Sequence, residues 1–134
     1  SPDGTQLAYS AGQGYGTYEL NVMDLKSGER RQLTQNAAYD VLPAWSPDGL
    51  RLAYASDATG DYEIWVINAD GTEVQALTNS PGLDSAPAWS PDGSGIAFTS
   101  NRSGRLEIWV MNADGTAPRV LEQAGEGACD PAWQ

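Results

Sequence analysis

The heptapeptide Pro-Ala-Trp-Ser-Pro-Asp-Gly occurs at residues 43–49 and again at 87–93. Its last four residues also open the chain at 1–4, and its first three return at 131–133. The tryptophans of the three Pro-Ala-Trp segments, Trp45, Trp89 and Trp133, therefore follow one another at intervals of 44 residues. A fixed period of this length is typical of a repeat protein, in which each repeat is one supersecondary unit.

One repeat, residues 46–89, contains four extended segments separated by turns. Ser-Pro-Asp-Gly is a tight turn, because proline presets φ, aspartate bonds its own backbone and glycine accepts a positive φ. Asn-Ala-Asp-Gly at 68–71 is a second turn. Apolar, β-branched and aromatic residues predict the extended segments, at 52–55, 62–67, 74–78 and 85–89.

The strand at 62–67 is apolar on both of its faces. Tyr62, Ile64 and Val66 point one way, and Trp65 and Ile67 point the other. A sheet with two apolar faces must be covered on both, as neighbouring blades of a β-propeller do. We therefore predict an all-β propeller of four-stranded blades, forming one domain over 1–134 with repeats at 1–45, 46–89 and 90–133.

Composition limits the classes of partner. The net charge of −11 disfavours nucleic acid and anionic membranes, which attract basic surfaces. No apolar run approaches 18 residues, so we expect no membrane insertion. Cys129 is the only cysteine, which excludes an intrachain disulfide, and we expect it to be partly buried.

Catalytic and metal-binding patterns are poorly represented. Without histidine, Ser-His-Asp and Cys-His arrangements cannot form, and imidazole-based zinc sites are unsupported. The glycines at 12–16 lack the strand-to-helix context of a dinucleotide motif and indicate a loop. Turn chemistry accounts for the repeated aspartates, and Arg51, Arg102 and Arg105 are interpreted as solvated loop charges. We predict no enzyme activity, no cofactor and no metal.

The segments at 43–49, 52–56 and 63–71 together resemble the TolB-like β-propeller repeats of bacteria. This resemblance implies that Pro-Ala-Trp lies in the innermost strand of each blade, along the central channel. It also implies a ring of six blades. The first blade, Ser1–Thr34, would then lack its inner strand, and Ala128–Trp133 would be an inner strand without a blade.

A three-bladed sector would leave two apolar flanks and free strand edges exposed. We therefore expect a homodimer that closes one six-bladed ring, in which the terminal strand of each chain completes the first blade of the other. The alternative is an engineered or proteolytic piece of a longer propeller.

Candidate binding residues precede the tryptophans. Asp40 and Asp84 stand five residues before Trp45 and Trp89, and Asp130 stands three before Trp133. By the geometry of the resembling family these carboxylates would gather at one channel mouth and attract a cation or a basic peptide. The alternative is ordinary strand-entry turns. The three tryptophans themselves are predicted to pack between blades, with ligand stacking as the second interpretation.

The predicted function is a non-enzymatic binding or scaffold module that presents channel-mouth loops to a protein or peptide partner. The resemblance to TolB implies a periplasmic or extracellular location. The alternative is an accessory propeller of a larger protein of the serine-peptidase or TolB type.

Overall fold

The structure, a computed structural model, describes residues 1–12, 17–121 and 127–133. In these ranges the chain forms eleven β-strands in three antiparallel sheets and no helix, which confirms the all-β prediction. Most of the glycine-rich loop predicted at 12–16 lies outside the described residues. The strands are β1 (Gln6–Ala11), β2 (Glu19–Asp24), β3 (Arg30–Gln32), β4 (Asp40–Trp45), β5 (Arg51–Ser56), β6 (Glu63–Asn68), β7 (Gln75–Ala76), β8 (Asp84–Trp89), β9 (Gly95–Ser100), β10 (Glu107–Asn112) and β11 (Arg119–Val120).

Each sheet is a simple antiparallel meander. The second sheet has the order β4-β5-β6-β7, and the third has β8-β9-β10-β11. The first has the order β1-β2-β3, and among the described residues no strand takes the place that β4 and β8 have in the other two, as the resemblance implied. The second and third sheets have the predicted four strands, but the first strand of each, β4 or β8, comes from the end of the preceding repeat.

The predicted inner strand at 128–133 is not formed within this chain. No strand occurs in the described residues 127–133. The segment instead lies along the third sheet. The Asp130 backbone N–H donates to Thr99 Oγ1 at 2.9 Å, and the Trp133 indole N–H donates to the carbonyl of Ala88 at 3.1 Å.

The core consists of two layers between consecutive sheets. Leu20 and Val22 of β2 pack with Leu52, Tyr54 and Ile67 of the second sheet. The other layer joins the second and third sheets and contains Ala53, Ile64, Val66, Trp89, Ile96, Phe98 and Met111. Alternate residues of β6 thus enter opposite layers, as the two-faced strand pattern predicted. Each fully buried large apolar side chain contributes about 1.5–3 kcal/mol.

The Ser-Pro-Asp-Gly turns are held by their aspartates. In the turn after β4, Asp48 Oδ1 accepts from the Ser46 hydroxyl at 2.5 Å and from the Leu50 backbone N–H at 3.0 Å. Consecutive turns also touch along one rim, because a Cβ added at Gly93 would lie 3.3 Å from Pro47 Cγ. Gly93 has φ +72°, so glycine is required there for both backbone conformation and close approach.

We expect these turns to make the free energy of unfolding depend on pH. Hydrogen bonds from Ser1 and Ser90 lower the pKa of Asp3 and Asp92 to about 2, and one from Ser46 lowers the pKa of Asp48. The pKa of each of these carboxyl groups is lower in the folded chain than in the unfolded chain. Their contribution to the free energy of unfolding is therefore present above about pH 4 and is lost as the pH falls towards about 2. Thermal unfolding followed by circular dichroism across this range measures the loss.

The triple variant D3N/D48N/D92N should lose less stability over the same pH range than the parent chain. Asp61→Asn, at an exposed loop position, is the control for removing a surface carboxylate. Identical pH profiles for the triple variant and the parent chain would contradict the assignment.

Candidate binding surface

Asp40 begins β4, and its carboxylate points into the protein. The side chain is fully buried. Its Oδ1 accepts from the Ser56 hydroxyl at 2.5 Å, and its Oδ2 accepts from Asn36 Nδ2 at 2.8 Å. Asp40 therefore ties the start of β4 to the end of β5 and to the preceding loop, and it does not face solvent.

Asp84 occupies the equivalent position at the start of β8 and is also fully buried. Arg102 Nη2 lies 2.6 Å from Asp84 Oδ2, and the Ser80 hydroxyl donates to the same oxygen at 3.1 Å. The guanidinium of Arg102 also lies 4.7 Å from the centroid of the Trp109 ring. The interpretation of Arg102 as a solvated loop charge is wrong, because its side chain is only 15% exposed and pairs with a buried carboxylate.

Arg51 and Arg105, which were also interpreted as solvated loop charges, have partners as well. The guanidinium of Arg51 lies 4.8 Å from the centroid of the Trp89 ring, so Arg51 covers the tryptophan between the second and third sheets. Arg105 Nε lies 3.1 Å from Glu107 Oε1 on the surface. The sequence could not identify these contacts, since each partner is brought close by sheet packing or by a loop conformation.

Asp130 does not share the position of Asp40 and Asp84. Its backbone has φ +54°, and the residues with matching conformations one and two repeats earlier are Ala86 (φ +50°) and Leu42 (φ +56°). In β4 and β8 this conformation coincides with a bulge in the pairing with the next strand. Asp130 is exposed, so it is the predicted carboxylate that is available to a ligand.

The inner-strand hollow is an open depression of about 350 Å³ beside Asp130. It is formed by consecutive inner segments, and apart from Asp130 the side chains that line it are apolar. The lining residues are Leu42, Pro43, Ala86, Pro87, Asp130 and Pro131. An apolar wall with one exposed carboxylate can hold a peptide and pair with a basic group on it.

The three equivalent tryptophans differ in exposure. Trp89 is 7% exposed in the layer between the second and third sheets, and Trp45 packs against the layer between the first and second. Trp133 is 47% exposed on the far face of the third sheet. The structure thus shows Trp45 and Trp89 in inter-sheet packing, and a ligand-stacking role for the three stays a prediction.

A buried Glu–Thr pair escaped the sequence analysis. Thr78 Oγ1 accepts from the Ile64 backbone N–H at 2.8 Å and donates to Glu63 Oε2 at 2.5 Å. Glu19 and Thr34 repeat the pair in the first sheet. Burial raises the pKa of Glu63. The recurrence of Glu and Thr 15 residues apart in the first two repeats was the available signal, and the pair ties the segments after β3 and β7 to the starts of β2 and β6.

Two further features concern metals and reactive groups. Across the described ranges, no three or more acidic or cysteine side chains are grouped so as to hold a metal ion. Cys129 is exposed, contrary to the expected partial burial, and the neighbouring Asp130 carboxylate raises the pKa of its thiol.

The described part of the chain contains no helix long and apolar enough to span a membrane.

Antiparallel meanders that pack face to face, the second and third of which begin with a Pro-Ala-Trp strand, define a propeller-type repeat protein. The chain belongs to the TolB beta propeller domain family, whose match covers residues 1–134.

Relatives agree with this family. The chain is 38% identical over 52 residues to the Tol-Pal system protein TolB of Actinobacillus succinogenes, which covers 39% of this chain and 12% of that protein. The structure of a TolB protein from Agrobacterium tumefaciens superposes with a TM-score of 0.85 at 29% identity, covering 90% of this chain and 46% of that one.

A puromycin-hydrolyzing peptidase of Mycobacterium tuberculosis superposes with a TM-score of 0.77, covering 99% of this chain and 22% of that chain. At 22% identity this likeness shows a shared fold alone. The chain spans less than half the length of each of these three proteins.

Proposed function

We propose that this chain is a non-enzymatic binding and scaffold module that receives a basic peptide, or a basic segment of a protein, at the inner-strand hollow. Two copies would form the binding ring, with six blades around one channel. The observation that carries the proposal is the exposed carboxylate of Asp130 beside an apolar lining, in a chain with a net charge of −11.

The binding role rests on Asp130 rather than on all three predicted carboxylates. Asp40 and Asp84 are fully buried and already bonded, so they support the strands that line the hollow. A basic group at Asp130 would form an exposed ion pair, which is weak alone. Apolar contacts with Leu42, which is exposed, and with Pro43 and Pro131 would supply the remaining affinity.

Membership in the TolB propeller family supports a periplasmic or extracellular place of action. The partner would then be a protein of the bacterial envelope with an exposed basic segment.

A second candidate function is an accessory propeller of a serine-peptidase-type protein. The superposition on the puromycin-hydrolyzing peptidase, which covers 99% of this chain, shows that such a protein contains this fold and is compatible with this function. The two candidates differ in what the complete gene product contains, since the second requires a hydrolase domain on the same polypeptide.

Binding of a fluorescent Lys-rich peptide, followed by anisotropy at low and high salt, tests the binding role. We expect binding that weakens with salt, and a loss of up to about fivefold in affinity for Asp130→Asn, the equivalent of about 1 kcal/mol. Asp114→Asn removes an exposed carboxylate from a turn outside the hollow and should leave affinity unchanged. Equal affinity for a Glu-rich peptide, or no effect of Asp130→Asn, would contradict the proposal.

A further inference from the structure

One buried carboxylate oxygen lacks a hydrogen-bond donor. Asp84, at the start of β8, is fully buried, and its Oδ2 accepts from the Ser80 hydroxyl and from Arg102. Its Oδ1 is also buried and has no hydrogen-bond partner among the described residues. Leaving a charged oxygen buried without a donor is strongly unfavourable, so such an atom calls for a physical explanation.

The equivalent aspartate one repeat earlier has donors for both of its oxygens. Asp40 Oδ1 accepts from the Ser56 hydroxyl, and Asp40 Oδ2 accepts from the side-chain amide of Asn36. The backbone N–H of Asn36 also donates to Glu19 Oε1 at 3.0 Å, so one asparagine serves both carboxylates. The contact between the first and second sheets therefore needs no further donor at Asp40.

The third sheet differs at both of the positions that supply these donors. The serine equivalent to Ser56 is Ser100, whose hydroxyl oxygen accepts from Arg102 Nε at 3.0 Å. The residue equivalent to Asn36 is Ser80, whose hydroxyl donates to Asp84 Oδ2. These differences leave Asp84 Oδ1 available to another donor.

The carboxyl group of Glu63 lies beside Asp84. The Asp84 backbone N–H donates to the Tyr62 carbonyl at 2.7 Å, which places the start of β8 next to the start of β6. Ser80 bridges the two side chains, since its backbone N–H donates to Glu63 Oε1 at 2.8 Å and its hydroxyl donates to Asp84 Oδ2 at 3.1 Å. Glu63 is buried, and two ionised carboxylates at such a place would repel each other.

We propose that Glu63 is protonated in the folded chain under conditions that ionise exposed carboxyl groups, and that it donates this proton to Asp84 Oδ1. The proton comes from solvent, and it leaves the pair with one negative charge. Arg102 neutralises that charge from the other side, with Nη2 at 2.6 Å from Asp84 Oδ2. The second and third sheets are then joined by a proton-dependent hydrogen bond. This inference goes beyond the binding role and does not depend on it.

Electrostatic surroundings favour the proton on Glu63. Burial raises the pKa of Glu63, and the charge of Asp84 and a hydrogen-bonding contact with it act in the same direction, against the lowering by hydrogen bonds from Thr78 and Ser80. Neighbouring titratable groups in the described ranges have other partners, are uncharged or face solvent. They are Asp40, bonded to Ser56 and Asn36, Asp57, which accepts from the Tyr39 backbone, Glu107, paired with Arg105, Tyr62, whose phenol has a raised pKa, and the exposed Asp61.

The proton should make the contact between the second and third sheets weaker as the pH rises. The ordinary pKa of a glutamate carboxyl group is 4.5, and the value for Glu63 in the folded chain is higher. The contribution of Glu63 to stability is therefore fully present below about pH 4.5 and is lost as the pH rises through the folded pKa. Between these two values the folding equilibrium constant should fall about tenfold per pH unit. The turn aspartates act in the opposite direction and at lower pH, so the two effects can be separated.

Urea unfolding from about pH 5 to about pH 8, where exposed carboxyl groups are ionised, measures this dependence. Glu63→Gln keeps the shape of the side chain and supplies an amide donor to Asp84 at every pH, so the variant should lose the fall in stability that the parent chain shows. Glu19→Gln is the matched control, because both oxygens of the neighbouring Asp40 already have donors, and it should keep the parent's dependence. Equal pH profiles for the parent and Glu63→Gln would overturn the proposal and indicate a water molecule as the donor.

Infrared spectroscopy detects the protonated carboxyl group without unfolding the protein. At about pH 6, the parent chain and Glu19→Gln should show the carbonyl band of a protonated carboxyl group, and Glu63→Gln should lack it. Absence of the band from the parent chain, or its persistence in Glu63→Gln, would overturn the assignment of the proton to Glu63.

A further pair of variants tests Asp84 as the acceptor. Carbon-13 NMR of the glutamate side-chain carboxyl groups follows the titration of Glu63 in R102A and in R102A/D84N, neither of which contains the Arg102 charge. The midpoint should lie at lower pH in R102A/D84N, because the negative charge that favours the protonated form of Glu63 has been removed. Equal midpoints would show that burial alone holds the proton and would overturn the role of Asp84.

Discussion

Replacement of Arg102 by alanine is expected to lower the free energy of unfolding by about 3–5 kcal/mol, the range observed when one member of a buried ion pair is removed. Asp84, its partner at 2.6 Å, is fully buried. Without the guanidinium, the Asp84 carboxylate would keep the Ser80 hydroxyl as a side-chain donor but would lose its charged partner. The variant also loses the stacking of Arg102 on Trp109, at 4.7 Å.

Urea unfolding followed by tryptophan fluorescence measures this loss, at one protein concentration for all variants because association would shift apparent stability. Arg105→Ala is the matched control, since the Arg105 side chain is 59% exposed in its pair with Glu107. It should cost about 1 kcal/mol or less. The double variant R102A/D84N should be more stable than R102A alone, because it removes the unpaired charge. Equal effects of R102A and R105A would show that the Asp84 pair is not buried in solution.

Phe98→Ala is expected to cost a similar amount, about 3–5 kcal/mol. Phe98 is 0% exposed in the layer between the second and third sheets, in one cluster with Ile64 and Val66 of β6. The truncation removes the ring from this layer and leaves a cavity that two paired sheets can collapse only in part.

The control for Phe98→Ala is Leu50→Ala, at a turn position that is 66% exposed, which should change stability by no more than about 0.5 kcal/mol. The guanidinium of Arg102 lies 5.3 Å from the centroid of the Phe98 ring. The double variant F98A/R102A should therefore lose less than the two single losses added together. A Phe98→Ala protein as stable as the parent would contradict the packing of the second and third sheets.

The strands were predictable because their signals are local and repeated. The stretch Leu52–Ala55, for example, was expected to be extended and forms the centre of β5 (Arg51–Ser56). The turn role of Asp48 was also predictable, since its partners Ser46 and Leu50 lie two residues away. The candidate site was less predictable from the sequence. The spacing to the next tryptophan, five residues for Asp40 and three for Asp130, already places the two at different positions of the repeat. Only the structure shows that Asp40 is buried and that Asp130 is exposed.

The amino-acid sequence by itself determined the period, the turns and the two-faced strands. These features depend on side chains within a few residues of one another and on an apolar pattern of period two. Only the tertiary structure decided that Asp84 is buried against Arg102, that Trp89 is enclosed while Trp133 is not, and that residues 128–133 lie along the third sheet. The burial and pairing of a side chain depend on which sheet packs against it. The local sequence of a repeat does not indicate whether another sheet covers it.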